Sequence, residues 1–140
     1  MGLFEVDVTI SNPAARERSA TAKLLVDTGA TLPWIPRSTL ESIGIAPLGR
    51  RGFLLADGRR VERETGNVIL TLDGVTIGAT VVFAQAGEGS VLGATALEAL
   101  GVAVDPLEGK LLHRDLMAMR AWASDAGSTR QPCVLLRMTA

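Results

Sequence analysis

The sequence predicts a mostly-β domain, a barrel or a sandwich of short strands with one or two brief helices. Several segments alternate apolar with polar residues, the period of two that is typical of a strand with one buried face. Turn-forming pairs such as Asp-Gly separate these segments, which favours hairpins over units that alternate strands with long helices. At 140 residues, with 47% hydrophobic and 21% charged residues, the chain is long enough to bury a single core.

The first two strands are predicted to form a hairpin. Residues 3–10 alternate apolar side chains with Glu, Asp and Thr, which indicates a strand. Ser11-Asn12-Pro13 and the charged Arg16-Glu17-Arg18 interrupt the pattern. The apolar positions of Ala20–Val26 then predict a second strand that pairs back on the first.

Two short helices are predicted from capping signals. Ser38-Thr39-Leu40-Glu41 has the spacing of a capping box, and Gly44 is placed to end a helix of about two turns. Thr95 and Glu98 have the same spacing before Gly101.

Turn signals predict further hairpins in the rest of the domain. In each, two strand-like segments flank residues that adopt tight turns. The predicted hairpins are Phe53–Leu55 with Arg59–Glu64 around Ala56-Asp57-Gly58, Val68–Leu72 with Val75–Phe83 around Asp73-Gly74, and Val102–Asp105 with Lys110–His113 around Pro106–Gly109.

Charge and composition argue against several classes of function. The 14 basic and 15 acidic residues are intermixed and give a formal charge of -1, so neither nucleic acid nor a membrane surface is an expected partner. Cys133 has no second cysteine to pair with, and with the lone His113 it forms no zinc motif, so we expect no metal or other cofactor. His113 is interpreted as a surface or interface histidine, and Trp34 as a core residue.

Localisation is predicted from the absence of two signals. The amino terminus alternates acidic and apolar residues where a signal peptide would carry a basic and then an apolar run. No apolar run in the sequence approaches the length of about 20 residues that a spanning helix needs. We therefore expect a soluble, cytoplasmic protein.

The carboxylate of Asp27 stands directly after an apolar strand, at the start of a glycine-containing turn. A lone charge there would be costly to bury, so it must be hydrogen-bonded, neutralised or paired with another acid. Gly29 lets backbone amides approach the carboxylate, and Thr28 adds a hydroxyl that can hold the turn. The tripeptide alone is equally compatible with an Asp that merely caps a turn.

The wider sequence resembles the retropepsin-like, single-lobe aspartic protease family. Leu25–Thr31 is similar to that family's signature of two apolar residues, then Asp-Thr-Gly-Ala and Ser or Thr. Leu92-Gly93, within Ser90–Glu98, resembles its apolar-apolar-Gly element, which is followed directly by a helix. Leu100–Pro106 and Gly109–Leu111 resemble its closing segment.

The resemblance implies a closed-barrel-like retropepsin fold, also called the acid protease fold, and an aspartic endopeptidase that is active as a homodimer. It implies that paired Asp27 carboxylates activate a water for peptide hydrolysis, with Thr28-Gly29 as their supports. Ala30 and a flap at Ala56-Asp57-Gly58 would contact an extended peptide or protein substrate. Leu92-Gly93 would be a structural motif near the site.

Other readings remain open at this stage. The same fold could serve as a non-catalytic peptide-binding or assembly module. The hairpin at Asp57 is as compatible with a plain surface hairpin, because its tip lacks a run of glycines. A β-barrel for a small ligand is disfavoured because it leaves Asp27 unexplained.

The resemblance divides the chain into a protease-like domain at residues 1–114 and a C-terminal extension at residues 115–140. Within the extension, residues 115–127 are compatible with a short helix and Gly127–Gln131 with a loop. Val134-Leu135-Leu136 could form a final strand.

Overall fold

The computed structural model describes residues 4–118. Residues 115–118 form no helix or strand, and the rest of the helix predicted at 115–127 lies outside the described residues. The loop at Gly127–Gln131, Cys133 and the strand predicted at Val134–Leu136 lie outside them as well.

The described residues are mostly strand, with two short helices, and this confirms the predicted class. The elements are β1 (Glu5–Asn12), β2 (Ala15–Val26), β3 (Trp34–Pro36), α1 (Arg37–Ser42), β4 (Gly49–Leu54), β5 (Arg60–Leu72), β6 (Val75–Ala84), β7 (Val91–Leu92), α2 (Ala94–Leu100), β8 (Val102–Asp105) and β9 (Lys110–His113).

Seven of the strands form one sheet in the order β1-β2-β7-β3-β6-β5-β4. The sheet also closes on itself, because β1 pairs antiparallel with β5 as well as with β2. β4 pairs with one strand of the described chain, β5, and lies at the end of the sheet order. A separate hairpin of β8 and β9 follows α2.

The closed sheet encloses a single apolar core. The inward positions of β1 and β2 contribute Val8, Ile10, Leu24 and Val26, all at most 1% exposed. On β1 they alternate with the more exposed polar residues Asp7 and Thr9, the pattern that predicted this strand. Buried residues of β5, β6, β7 and both helices complete the core.

The first hairpin forms as predicted, but its second strand begins earlier than expected. β2 starts at Ala15, so Arg16-Glu17-Arg18 lies within the strand. These three residues are exposed, and charged side chains are tolerated where both faces of a strand meet water. The actual turn is shorter, and the side chain of Asn12 accepts a hydrogen bond from the Ala14 N–H at 2.8 Å.

Both helices form, but neither predicted capping box does. α1 follows Pro36 and α2 follows Gly93, and no side chain makes a cap hydrogen bond at either start. Ser38 and Thr95 therefore lie inside their helices. The Thr95 hydroxyl instead donates to the Thr31 carbonyl at 2.9 Å, which ties α2 to the segment after Asp27.

The glycine signals locate the turns correctly. Gly44 and Gly101 follow the two helices with φ of 83° and 73°, in the left-handed region that glycine adopts easily. At the β5–β6 turn both Asp73 and Gly74 have positive φ, as a two-residue hairpin turn requires. At the β4–β5 turn this holds for Gly58 alone.

Two properties of the described residues bear on function. Between residues 4 and 118 there is no helix long and apolar enough to cross a membrane. In the same range there is no group of three or more His, Cys, Asp or Glu side chains that could hold a metal ion.

Candidate active site

Asp27 follows the last residue of β2, at the point where distant parts of the chain meet. β7 lies between β2 and β3, pairing parallel with β2 and antiparallel with β3. The Asp27 N–H donates to the carbonyl of Leu92, on β7, at 3.3 Å. The loop that carries Asp27 is thus fixed to a strand from the second sequence motif.

The side chain of Asp27 is held by its own turn. Its Oδ1 accepts a hydrogen bond from the Gly29 N–H at 2.8 Å, and its carbonyl accepts one from the Ala30 N–H at 3.4 Å. A Cβ at position 29 would lie 3.2 Å from this Oδ1, which is a close contact, so glycine permits the approach. Asp27 is partly buried, whereas Thr28 and Gly29 are exposed.

Gly93 lets the start of α2 pack directly against the Asp27 loop. A Cβ on Gly93 would lie 2.7 Å from the carbonyl carbon and oxygen of Leu32, and 2.8 Å from the carbonyl oxygen of Ala30. The Ala94 N–H donates to that Ala30 carbonyl at 2.7 Å, and the Thr95 N–H donates to the Thr31 carbonyl at 3.0 Å. The first N–H groups of a helix lack partners within it, so the loop satisfies them.

An open cleft of about 870 Å³ lies above the Asp27 loop. The Asp27 loop, Val91, the β4–β5 hairpin and Glu88-Gly89 all contribute to its lining. The full lining is Asp27, Gly29, Ala30, Thr31, Leu32, Trp34, Arg51, Gly52, Phe53, Leu54, Leu55, Ala56, Arg59, Glu88, Gly89 and Val91.

Trp34 lines this cleft, so its interpretation as a core residue is wrong. The residue is partly buried, and its ring meets the ring of Phe53 edge to face with centroids 5.4 Å apart. The neighbouring Ile35 is 0% exposed and takes the core position on β3. Alternation along a strand separates two faces, but it does not tell which face meets the core and which meets a cleft.

The cleft also contains charged side chains that sequence reasoning did not single out. Glu88 is bound by Arg63, whose Nε lies 3.2 Å from both carboxylate oxygens. The Arg63 guanidinium lowers the pKa of Glu88, and the Gln85 N–H, which donates at 2.8 Å, acts in the same direction. At the hairpin turn, Arg59 binds Asp57 through its backbone N–H and its guanidinium, and both lower the pKa of Asp57.

The structure brings some of the predicted site residues together and leaves others apart. Asp27, Gly29, Ala30 and Ala56 all line the cleft. Asp57-Gly58 is exposed at the hairpin turn and is not part of its lining. Three more lie behind or outside the cleft wall: Leu92 is buried in the core, Gly93 is packed against the loop, and Thr28 is exposed. His113 lies at the surface, where its Nε2 is 2.9 Å from Asp73 Oδ2.

Comparison with known proteins identifies the fold. No protein-family model and no curated protein matches the chain. Solved structures do match it, among them EIAV protease complexed with the inhibitor HBY-793, which has a TM-score of 0.53 and 19% sequence identity. The match covers 77% of this chain and 90% of the EIAV chain. The described domain therefore has the fold of a retroviral protease.

Proposed function

We propose that this chain is one subunit of a homodimeric aspartic endopeptidase, in which Asp27 from each of two copies forms the catalytic pair. One observation carries the proposal. Asp27 lines a large open cleft, with its carboxylate anchored by the Gly29 N–H at 2.8 Å, in a domain with the fold of a retroviral protease. Residues 1–114 would form the protease domain and residues 115–140 an extension.

The need for a second copy follows from the acids in the cleft. Peptide hydrolysis by this chemistry needs two carboxylates that share a proton. Within residues 4–118, Glu88 is the other acid that lines the cleft, and it is already bound to Arg63. Since a carboxylate held by a guanidinium stays ionised, Glu88 is a poor partner for a shared proton. Asp27 of a second chain is the simplest source of the missing group.

The chemistry then follows from the pair. Two close carboxylates cannot both ionise cheaply, so one of them keeps a proton. The ionised carboxylate removes a proton from a water, which attacks the scissile carbonyl carbon, while the protonated one donates its proton to the carbonyl oxygen. The carboxyl that took the water proton then donates it to the leaving nitrogen, while the other carboxylate removes a proton from a hydroxyl of the tetrahedral intermediate. The C–N bond breaks, an acid and an amine are released, and the pair again holds one proton.

The substrate is proposed to bind as an extended peptide between the Asp27 loop and the β4–β5 hairpin. Leu32, Trp34 and Phe53 give that cleft apolar surface for substrate side chains. Ala30 and Ala56 both line this cleft and are proposed to contact the substrate. Asp57-Gly58 would act through closure of the hairpin, as the turn of a flap.

Incubation with a diverse peptide library, followed by mass spectrometry, tests this proposal. The wild-type protein is expected to cleave a subset of peptides, and Asp27→Asn to cleave none, because the amide keeps the shape of the side chain but cannot exchange a proton. Circular dichroism should show that the variant remains folded.

Two results would count against the proposal. Cleavage retained in Asp27→Asn would place the activity in another site or in a contaminant. Binding of peptides without cleavage by the wild-type dimer would favour a non-catalytic peptide-binding module.

A further inference from the structure

We propose that Arg51 selects acidic substrates: the cleft prefers an extended peptide with an acidic side chain two residues from a bulky apolar one. The inference rests on the proposed function in that it takes the cleft to bind a peptide. It goes further by assigning Arg51 as the specificity-determining residue of a subsite. Three observations support it.

Arg51 is a cation in the cleft without a bound anion. The cleft lining contains two arginines, Arg51 and Arg59. Arg59 is engaged by Asp57, with its Nε 2.8 Å from the carboxylate. Among residues 4–118, no carboxylate oxygen lies within ion-pairing distance of Arg51.

Apart from Asp27, the acid that lines the cleft together with Arg51 is Glu88, and Glu88 is already paired. Arg51 stands opposite Arg63 in the β4–β5 register, so the two side chains lie on the same face of the hairpin, and Arg51 lines the cleft. Glu88, the acid on this side, is engaged by Arg63 through Nε at 3.2 Å and through a second guanidinium nitrogen. Since no carboxylate of residues 4–118 pairs with Arg51, it can bind a carboxylate of a substrate, for which a guanidinium has the right planar geometry.

The position of Phe53 sets the spacing of the recognised residues. Arg51 and Phe53 are two residues apart on β4, so their side chains project from the same face at a separation of about 6.8 Å. Phe53 forms the apolar surface with Trp34. The outer edge of β4 pairs with no strand of residues 4–118, so a peptide can add along it. The side chains of an extended peptide repeat every two residues with the same spacing, which lets one contact Phe53 and the other Arg51.

Equilibrium binding of labelled peptides to Asp27→Asn protein tests the inference independently of cleavage. Each decapeptide carries one Phe among alanines, with Glu either two positions or one position away, on either side. Each has a matched peptide with Gln in place of Glu. For one order of the two residues, the Glu peptide with two-residue spacing is expected to bind about two- to fivefold more tightly than its Gln counterpart, the upper part of the range for an exposed ion pair. The adjacent Glu should give no such gain, because its side chain projects to the other face.

Arg50 provides the matched control. It neighbours Arg51 on β4, is not part of the cleft lining, and has its Nε 3.7 Å from Glu62. Arg51→Gln in the Asp27→Asn background should remove the preference for Glu, whereas Arg50→Gln should keep it. An equal preference in both variants, or no preference for Glu in either order, would overturn the assignment.

The outcome separates this inference from the proposed function. Preference without cleavage by wild-type protein would keep the Arg51 subsite and reject the endopeptidase. Cleavage by wild-type protein without any preference for Glu would keep the endopeptidase and reject the Arg51 subsite.

Discussion

Replacing Gly93 with alanine should destabilise the domain by crowding the Asp27 loop. The added Cβ would lie 2.7 Å from the Leu32 carbonyl, whereas ordinary contact begins at 3.4 Å, so the backbone would have to move by 3.4 − 2.7 = 0.7 Å. The φ of -80° is accessible to alanine, so the expected effect is steric and not conformational. Over-packing costs about 1–3 kcal/mol, and we expect the upper end because backbone atoms cannot rotate away.

Urea unfolding at a fixed protein concentration, followed by circular dichroism, measures this cost. Gly78→Ala is the control, since a Cβ there meets no atom within 4 Å and the backbone does not have positive φ. We expect Gly93→Ala to lose about 3 kcal/mol of unfolding free energy, or about 10 °C in Tm, and Gly78→Ala to change by less than about 1 kcal/mol. Equal stabilities of the two variants would refute the close packing of the loop against α2.

Three further predictions concern the hairpin, the cleft edge and the dyad. Asp57→Asn should slow peptide cleavage by less than about tenfold, because closure of the hairpin depends on its turn and the amide oxygen can still accept the Arg59 N–H. A loss of activity as complete as that of Asp27→Asn would make Asp57 a catalytic group. The pKa of Glu88 is lowered by Arg63, so their ion pair stabilises the fold fully above the ordinary Glu pKa of about 4.5, and this stabilisation is lost as pH falls through the lowered pKa. Glu88→Gln should therefore lower the free energy of unfolding by about 1–2 kcal/mol at pH 7 and by progressively less below pH 4. A difference in unfolding free energy that does not change with pH would contradict this. Cleavage should be fastest at acidic or mildly acidic pH, where the Asp27 pair holds one proton, and a rate that is flat from about pH 4 to pH 9 would exclude a shared proton.

The strands and turns of this fold were largely predictable from local sequence. Alternation identifies β1 and the second half of β2, since each buries one face on the core. Glycines with positive φ mark the ends of both helices and three of the hairpin turns, β4–β5, β5–β6 and β8–β9. These features depend on a few neighbouring residues, so a local pattern is enough to find them.

The features that were missed depend on distant partners. The resemblance placed Leu92-Gly93 near the site, but the two-residue strand β7 between β2 and β3 was not predicted, because no local pattern reveals this pairing. Thr95 has the spacing of a cap, but its hydroxyl finds the Thr31 carbonyl of the Asp27 loop instead. Whether the Thr95 hydroxyl caps the helix or binds the Thr31 carbonyl depends on tertiary packing.

The residues of the candidate site also divide into those that a local motif predicts and those that only tertiary structure brings together. Asp27, Gly29 and Ala30 were identified because their chemistry lies within one short motif. Trp34, Arg51 and Glu88 come from separate elements, and they share a cleft because the sheet folds around it. Sequence alone predicted a hairpin here, but not that Arg63 has a carboxylate partner while Arg51 has none among residues 4–118.

The central claim, that two chains share one active site, is tested most directly by mixing. Wild-type protein is incubated with an increasing excess of Asp27→Asn chains, and cleavage of a fixed peptide is measured per wild-type chain. Native mass spectrometry of tagged chains provides the control by showing that heterodimers form. Because each heterodimer carries a single ionisable Asp27, activity per wild-type chain should fall toward zero as the excess grows. If heterodimers form and activity per wild-type chain stays constant, Asp27 acts within its own chain or does not act in catalysis, and the shared-site account is wrong.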